Sequence, residues 1–248
     1  MQSAKLQHKS KPHKPSMIHT HSKKYAIIPA RGGSKRIPQK NICDFLGKPL
    51  IAHSILKAIQ SRLFDAVIVS TDCPQISQIA EQYGASVPFK REASLSDDHT
   101  PTLSVIIDAI RKCDIHPQSI ICCIYPTAPL LQISTLQQAF KSIKHTKGYV
   151  FCATQYDFNP MRAFLLQDSQ PTMLYPQHQH TRSQDLAPVF HDAGQFYLAK
   201  AQTFLDHTPI FSQDSYAIVL PSHQVQDIDT LEDLEIAKLK YKVLFGEN

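Results

Sequence analysis

The sequence predicts an α/β fold with a mostly parallel central sheet and helices on both faces. Three observations lead there. Short apolar runs alternate with stretches of helical periodicity, most runs are too apolar for a half-wet sheet, and the chemically suggestive segments each follow a strand. Residues 25–28, YAII, read as a buried first strand that breaks at Pro29 into a turn holding Gly32, Gly33 and Ser34. Pro49 opens a helical pattern through Leu50, Ile51, Ile55, Ile59 and Leu63. Residues 66–70, AVIVS, predict a second strand ending in Ser70-Thr71-Asp72. A helix is expected over 74–83 with Gly84 as its stop, then a third strand over 85–89. A helix over 103–110, a fourth strand over 120–125, a helix over 135–143 and a fifth strand over 149–153 continue the alternation. Residues 157–195 interrupt it with a polar, proline-containing stretch and only brief β-like runs, such as 163–166. Late strands over 196–198 and 217–220 and an amphipathic helix over 230–244 complete the pattern. In such sheets ligands bind beyond the carboxyl ends of the strands, so the turn after Pro29, Ser70-Thr71-Asp72 and Pro126-Thr127 should share one crevice.

Composition narrows the function. The formal net charge is +5, but six of the 26 Lys and Arg residues fall in residues 1–24, where there is no acid. The other 20 face 21 acids, so the folded part gives no general support to nucleic-acid binding. Residues 1–23 lack apolar periodicity and read as a disordered basic tail, leaving 24–248 as the folded domain. No run approaches the roughly 18–20 apolar residues of a membrane span. The six cysteines show no C-x-x-C spacing, which fits reduced thiols in a cytoplasmic protein. Cys122 and Cys123 should project to opposite faces of their strand.

Residues 25–41, YAIIPARGGSKRIPQKN, carry the strongest chemical signal. Arg31, Lys35, Arg36 and Lys40 crowd a glycine turn with no acid among them. Backbone N–H groups and cations arranged this way suit a polyphosphate. Far away, residues 225–229, VQDID, put Asp227 and Asp229 two apart, on one side of an extended segment. Two such carboxylates can hold Mg²⁺ shared with substrate phosphates, and the same run also suits a helix cap around residues 229–232.

ARGGSKRIPQKN resembles, without a gap, the N-terminal signature of the CMP-sialic acid synthetase family, cytidylyltransferases that activate nine-carbon acidic sugars. The resemblance implies a Rossmann-like nucleotidyltransferase fold, CTP and an acidic sugar as substrates, and Mg²⁺ on Asp227 and Asp229. It implies that Arg31, Lys35 and Lys40 stabilise the leaving pyrophosphate. Ala30, Gly33, Ser34 and Asn41 would join Arg31 around the nucleotide, with Arg91, Thr102 and Thr127. It further implies a homodimer, built through an extension over 157–195 that returns to line the sugar site.

Two stretches depart from the sialic acid members. Where these read Q-P-T-S-P-L-R, this chain has Tyr125 in place of the glutamine and Leu131 in place of the arginine. Residues 181–197, TRSQDLAPVFHDAGQFY, look most like the members that act on pseudaminic acid. By that likeness Arg182 could pair with the sugar carboxylate, since its fork matches two oxygens. Gln184, His191 and Gln195 could read hydroxyl or acetamido groups, and Tyr197 keeps the frame with Gly194. His191 equally suits an interior, hydrogen-bonded histidine.

Overall fold

The computed structural model describes residues 22–246. Of the predicted tail, residues 1–21 lie outside the described residues. The first strand, β1 (Lys24–Pro29), is an inner strand of the sheet, and Ala26, Ile27 and Ile28 are fully buried. It pairs in parallel with β4 (Ala66–Ser70) on one side and β5 (Ile120–Ile124) on the other. A two-residue pair, β2 (Asp44–Phe45) and β3 (Lys48–Pro49), precedes helix α1 (Leu50–Ser61). Helices α2 (Pro74–Gln82), α3 (Thr102–Lys112) and α4 (Ile133–Ser142) alternate with the strands up to β6 (Val150–Gln155).

A small antiparallel hairpin follows, β7 (Phe164–Gln167) with β8 (Gln170–Met173), and then the long strand β9 (Phe190–Lys200). Helix α5 (Ala201–Leu205), strand β10 (Tyr216–Leu220) and helix α6 (Leu231–Phe245) close the chain. The six-stranded sheet has the order β10-β6-β9-β5-β1-β4, with β9 antiparallel to both its neighbours and the other pairings parallel.

Alternation along the strands divides the core into two layers. Ala26, Ile28 and Cys122 face α1, α2 and α4, while Ile27, Ile121 and Cys123 face α3 and α5. The adjacent cysteines do project to opposite faces, and all six cysteines are free thiols. A third cluster joins Ile37, Phe45 and Leu50 to Ile228, Leu234, Ala237 and Tyr241, and so ties α6 to the segment after the cationic turn. Ile228 is fully buried between its two aspartate neighbours. Burying such a side chain contributes about 1.5–3 kcal/mol, enough to hold the acidic segment against this loop.

The structure corrects two expectations and extends a third. Residues 85–89 do not form a strand. They follow the outer edge of β4 through the isolated bridges Ile68–Ser86 and Thr71–Lys90, and Pro88 has no N–H to continue a ladder. Residues 190–195, expected to be irregular, are the first half of β9. That half carries a register shift opposite Phe151–Ala153 and a left-handed Gly194 at φ 59°. The predicted 163–166 run is one arm of the hairpin, whose turn residues Asp168 and Ser169 both have positive φ.

Candidate active site

The carboxyl ends of β1 and β5 open into a cavity of about 560 Å³. Pro29, Arg31, Ser34, Lys35, Arg36, Lys40 and Asn41 form one wall, and Asp227 and Asp229 stand in the same lining. The remainder includes Arg91, Thr102, Tyr125, Pro126 and Thr127, together with the loop residues Asp97, Asp98 and Thr100. The packing of Ile37 against Ile228 accounts for the meeting of two segments so distant in sequence. With Ile228 turned inward, its two neighbours turn outward to the cavity, as period-two geometry requires.

Two of the cavity's carboxylates, Asp229 and Asp98, pair with cations. Asp229 Oδ1 accepts from Arg36 at 2.8 Å and from Lys40 Nζ at 3.2 Å. Lys40 also donates to the Ile228 carbonyl at 2.6 Å. Asp98 bridges Arg31 and Lys35, the latter at 2.5 Å, and hydrogen bonds from Lys35 and then Arg31 hold its carboxyl down at about 2. Asp97 turns back into its own loop, accepting from the Thr100 hydroxyl at 2.7 Å and the His99 N–H at 2.9 Å, which lowers its carboxyl. Asp227 is different: desolvation, then the charge of Asp229, pushes its carboxyl up. A cation shared by the two carboxylates would relieve that repulsion, so the pair fits a hard, oxygen-preferring metal.

Other side chains named from the sequence do structural work around the cavity. Arg91 is buried and donates to the Ser70 carbonyl, to Ser70 Oγ at 3.2 Å and to the Leu95 carbonyl at 3.5 Å. Burial lowers its pKa, countered by Asp72 and Asp108. Asn41 donates to the Arg31 carbonyl at 2.9 Å. Thr102 begins α3, so the positive end of that helix faces the cavity. Ala30 and Gly33 are not in the lining. Ala30 is fully buried and its N–H is tied to the Ser70 carbonyl at 2.9 Å.

A second cavity of about 410 Å³ adjoins the first and shares Asp227 with it. His191, Tyr156, Asp157, Gln226 and Lys240 line it, with the His191 and Tyr156 rings 4.5 Å apart. Of the residues expected around a sugar, His191 alone reaches this space. Arg182 is exposed and bound to Asp185 at 2.7 and 3.2 Å, and Gln184 is exposed beside it, since both sit on a surface turn. Gln195 points inward, is buried, and donates to the Gln224 carbonyl at 2.8 Å. Tyr197 is also interior: its hydroxyl donates to Asp192, its ring meets Tyr125 edge-on at 5.7 Å, and burial raises its pKa. Sequence reasoning missed Asp98 as a cavity residue. Its signal was the acidic pair in the loop between Arg91 and α3. Arg36, seen in the cation cluster but given no role, proves to be a partner of Asp229.

A cation-lined cavity at the switch between parallel strands, on this sheet order, defines the α/β nucleotidyltransferase class. A family model described as Cytidylyltransferase matches residues 25–244, and the chain belongs to that family. The pseudaminic acid cytidylyltransferase of Campylobacter jejuni subsp. jejuni serotype O:2 is 45% identical over 225 residues, covering 89% of this chain and 97% of the relative. The CMP-N,N'-diacetyllegionaminic acid synthase of Legionella pneumophila is 34% identical over 83% of this chain and 90% of its own length. Among solved structures, a CMP:2-keto-3-deoxy-manno-octonic acid synthetase complexed with CTP superposes with a TM-score of 0.66 over 88% of this chain and 98% of that one. At 17% identity that likeness speaks for the fold. The α/β sheet and the family expected from ARGGSKRIPQKN are both met.

Proposed function

We propose that this chain transfers CMP from CTP to the anomeric hydroxyl of a nine-carbon α-keto acid sugar, pseudaminic acid, releasing pyrophosphate. The observation that carries the reading is the shared cavity in which Arg31, Lys35 and Lys40 face Asp227 and Asp229. The sugar hydroxyl attacks the α-phosphorus and gives up its proton to solvent water as the new P–O bond forms, and the bond to the pyrophosphate oxygen breaks in line. Transfer of this kind rests on positioning and electrostatics, so no covalent nucleophile is needed. Arg31, Lys35 and Lys40 offset the charge gathering on the leaving pyrophosphate. Asp227 and Asp229 would hold Mg²⁺, which supplies Lewis-acid neutralisation of the phosphoryl oxygens. The cavity bearing His191 takes the sugar, and its junction with the nucleotide cavity at Asp227 puts acceptor beside donor.

The identity with the pseudaminic acid relatives favours that acceptor over the legionaminate or N-acetylneuraminate alternatives. Incubation with CTP, Mg²⁺ and each acid separately, scored by pyrophosphate release, tests this. Turnover with pseudaminic acid alone is expected; preference for another acid overturns the assignment, and none with any acid overturns the reaction. The CTP supply and the free thiols fit a cytoplasmic setting. A homodimer is the assembly favoured by the hairpin β7–β8, where Phe164, Leu165 and Leu166 are exposed together with Leu174. Light scattering should give twice the chain mass, and Leu165→Asp with Leu166→Asp should give the monomer.

A further inference from the structure

The peptide group joining Arg31 to Gly32 is gripped at both ends. Its carbonyl accepts from Asn41 Nδ2 at 2.9 Å, and its N–H donates to Asp72 Oδ1 at 2.9 Å. Asn41 belongs to the nucleotide cavity, whereas Asp72 lies behind the loop, beside a separate recess with Cys73 and Lys90. The loop rests directly on that wall: a Cβ on Gly32 would stand 2.9 Å from Cys73 Cβ. A carboxylate behind a polyphosphate loop opposes the ligand's charge, while it favours the buried Arg91 guanidinium, so charge alone does not explain its grip on the Gly32 N–H. Its contribution is geometric. With the Gly32 N–H engaged, the following N–H groups of Gly33, Ser34 and Lys35 have no protein acceptor among the described residues. They are left for a ligand.

We propose that Asp72 is a positioning residue, fixing the plane of the Arg31–Gly32 peptide so that Arg31 and the free N–H groups after it point at the phosphate chain. The inference rests on the cytidylyltransferase reading. Strand β4 thereby sets the phosphate loop from outside the cavity, because Asp72 stands two residues past its end and the Ser70 carbonyl anchors Ala30 as well. A pre-set loop binds without first losing its own freedom.

The test compares Asp72→Ala, Asp72→Asn and wild type for the Kd of inorganic tripolyphosphate and of CTP, the KM for CTP, and kcat. Losing one hydrogen bond to a charged acceptor predicts that Asp72→Ala weakens both ligands about tenfold or more. Asp72→Asn keeps the Oδ1 acceptor and should bind within about threefold of wild type, since the geometry and not the charge is what matters. Equal binding by wild type and Asp72→Ala, or equal loss in both variants, overturns the inference. Should Asp72→Ala fail to fold, hydrogen exchange of the Gly32 amide decides: slow in wild type and Asp72→Asn supports the clamp, fast in wild type refutes it. Failure of wild type to bind CTP at all would instead strike the parent reading.

Discussion

Lys40 and Asp229 stand 189 residues apart in sequence and 3.2 Å apart in space. The contact joins the cationic turn after β1 to the acidic segment before α6, and the Lys40 bond to the Ile228 carbonyl fixes the same approach. Two walls of one cavity are therefore bridged by Lys40, alongside the Arg36–Asp229 pair and the Ile37–Ile228 packing. Lys40→Ala or Asp229→Ala is expected to lower turnover on the order of 10²-fold, the scale of losing one transition-state contact. Steady-state pyrophosphate release measures it, with circular dichroism to show an intact fold.

Asp98 occupies Arg31 and Lys35 as a phosphate group would. Entry of a triphosphate has to break both pairs. Asp98→Asn should therefore lower the KM for CTP severalfold, with the gain shrinking as salt screens the exposed charges. Because the Asp98 carboxyl titrates at about 2, mild acid should not reproduce the effect. A KM series for both proteins at pH 6 and 8, and at low and high salt, checks all of this.

Asp227 provides a pH signature. Its folded-state pKa is raised, by burial first and then by Asp229, so the ionised form is less favourable in the folded chain than in the unfolded one. The penalty appears as pH rises from the ordinary carboxylate range through the raised value, and is complete above it. In metal-free buffer Asp227→Asn should accordingly melt above wild type at neutral pH, with the difference vanishing below about pH 3, where both states hold the proton. Its activity should be lost throughout. Calorimetry with a chelator present makes the comparison.

Helix α6 starts with a capping box. Thr230 Oγ1 accepts from the Asp233 N–H at 3.2 Å, and the Asp233 carboxylate accepts from the Thr230 N–H at 2.8 Å. Thr230→Ala should cost about 1 kcal/mol, which for a chain of this size is about 2–4 °C in melting temperature. Thermal melts of the two proteins test it. Since the cap follows Asp229 directly, a small rise in the KM for CTP should accompany the loss.

Much of this was legible in the residues, for reasons that also mark where reading fails. β4 falls where AVIVS places it, because a buried parallel strand must be apolar on both faces. ARGGSKR announces the cationic wall because cations without acids in a glycine turn have few other uses. The strand character of residues 190–195 was hidden because His191, Asp192 and Gln195 are polar for the sake of cavity and interior hydrogen bonds. Residues 85–89 misled in the opposite way, being apolar enough for a strand but carrying Pro88. The hairpin turn at Asp168-Ser169 lacks the glycine that usually signals one. Arg182 and Gln184 could be recognised as polar candidates, but their distance from both cavities is a property of chain path that spacing does not encode.

The reversed direction of β9 divides labour between the halves of the sheet. Strands running one way (β1, β4 and β5) end where Arg31, Lys35, Arg36 and Lys40 gather, while the single strand running the other way starts beside the second cavity with His191. On the proposed assignment, replacing side chains near the start of β9 should alter which sugar is accepted while leaving the cationic turn after β1 untouched. A chain built like this can drift from one acidic sugar to another while its donor chemistry stays fixed.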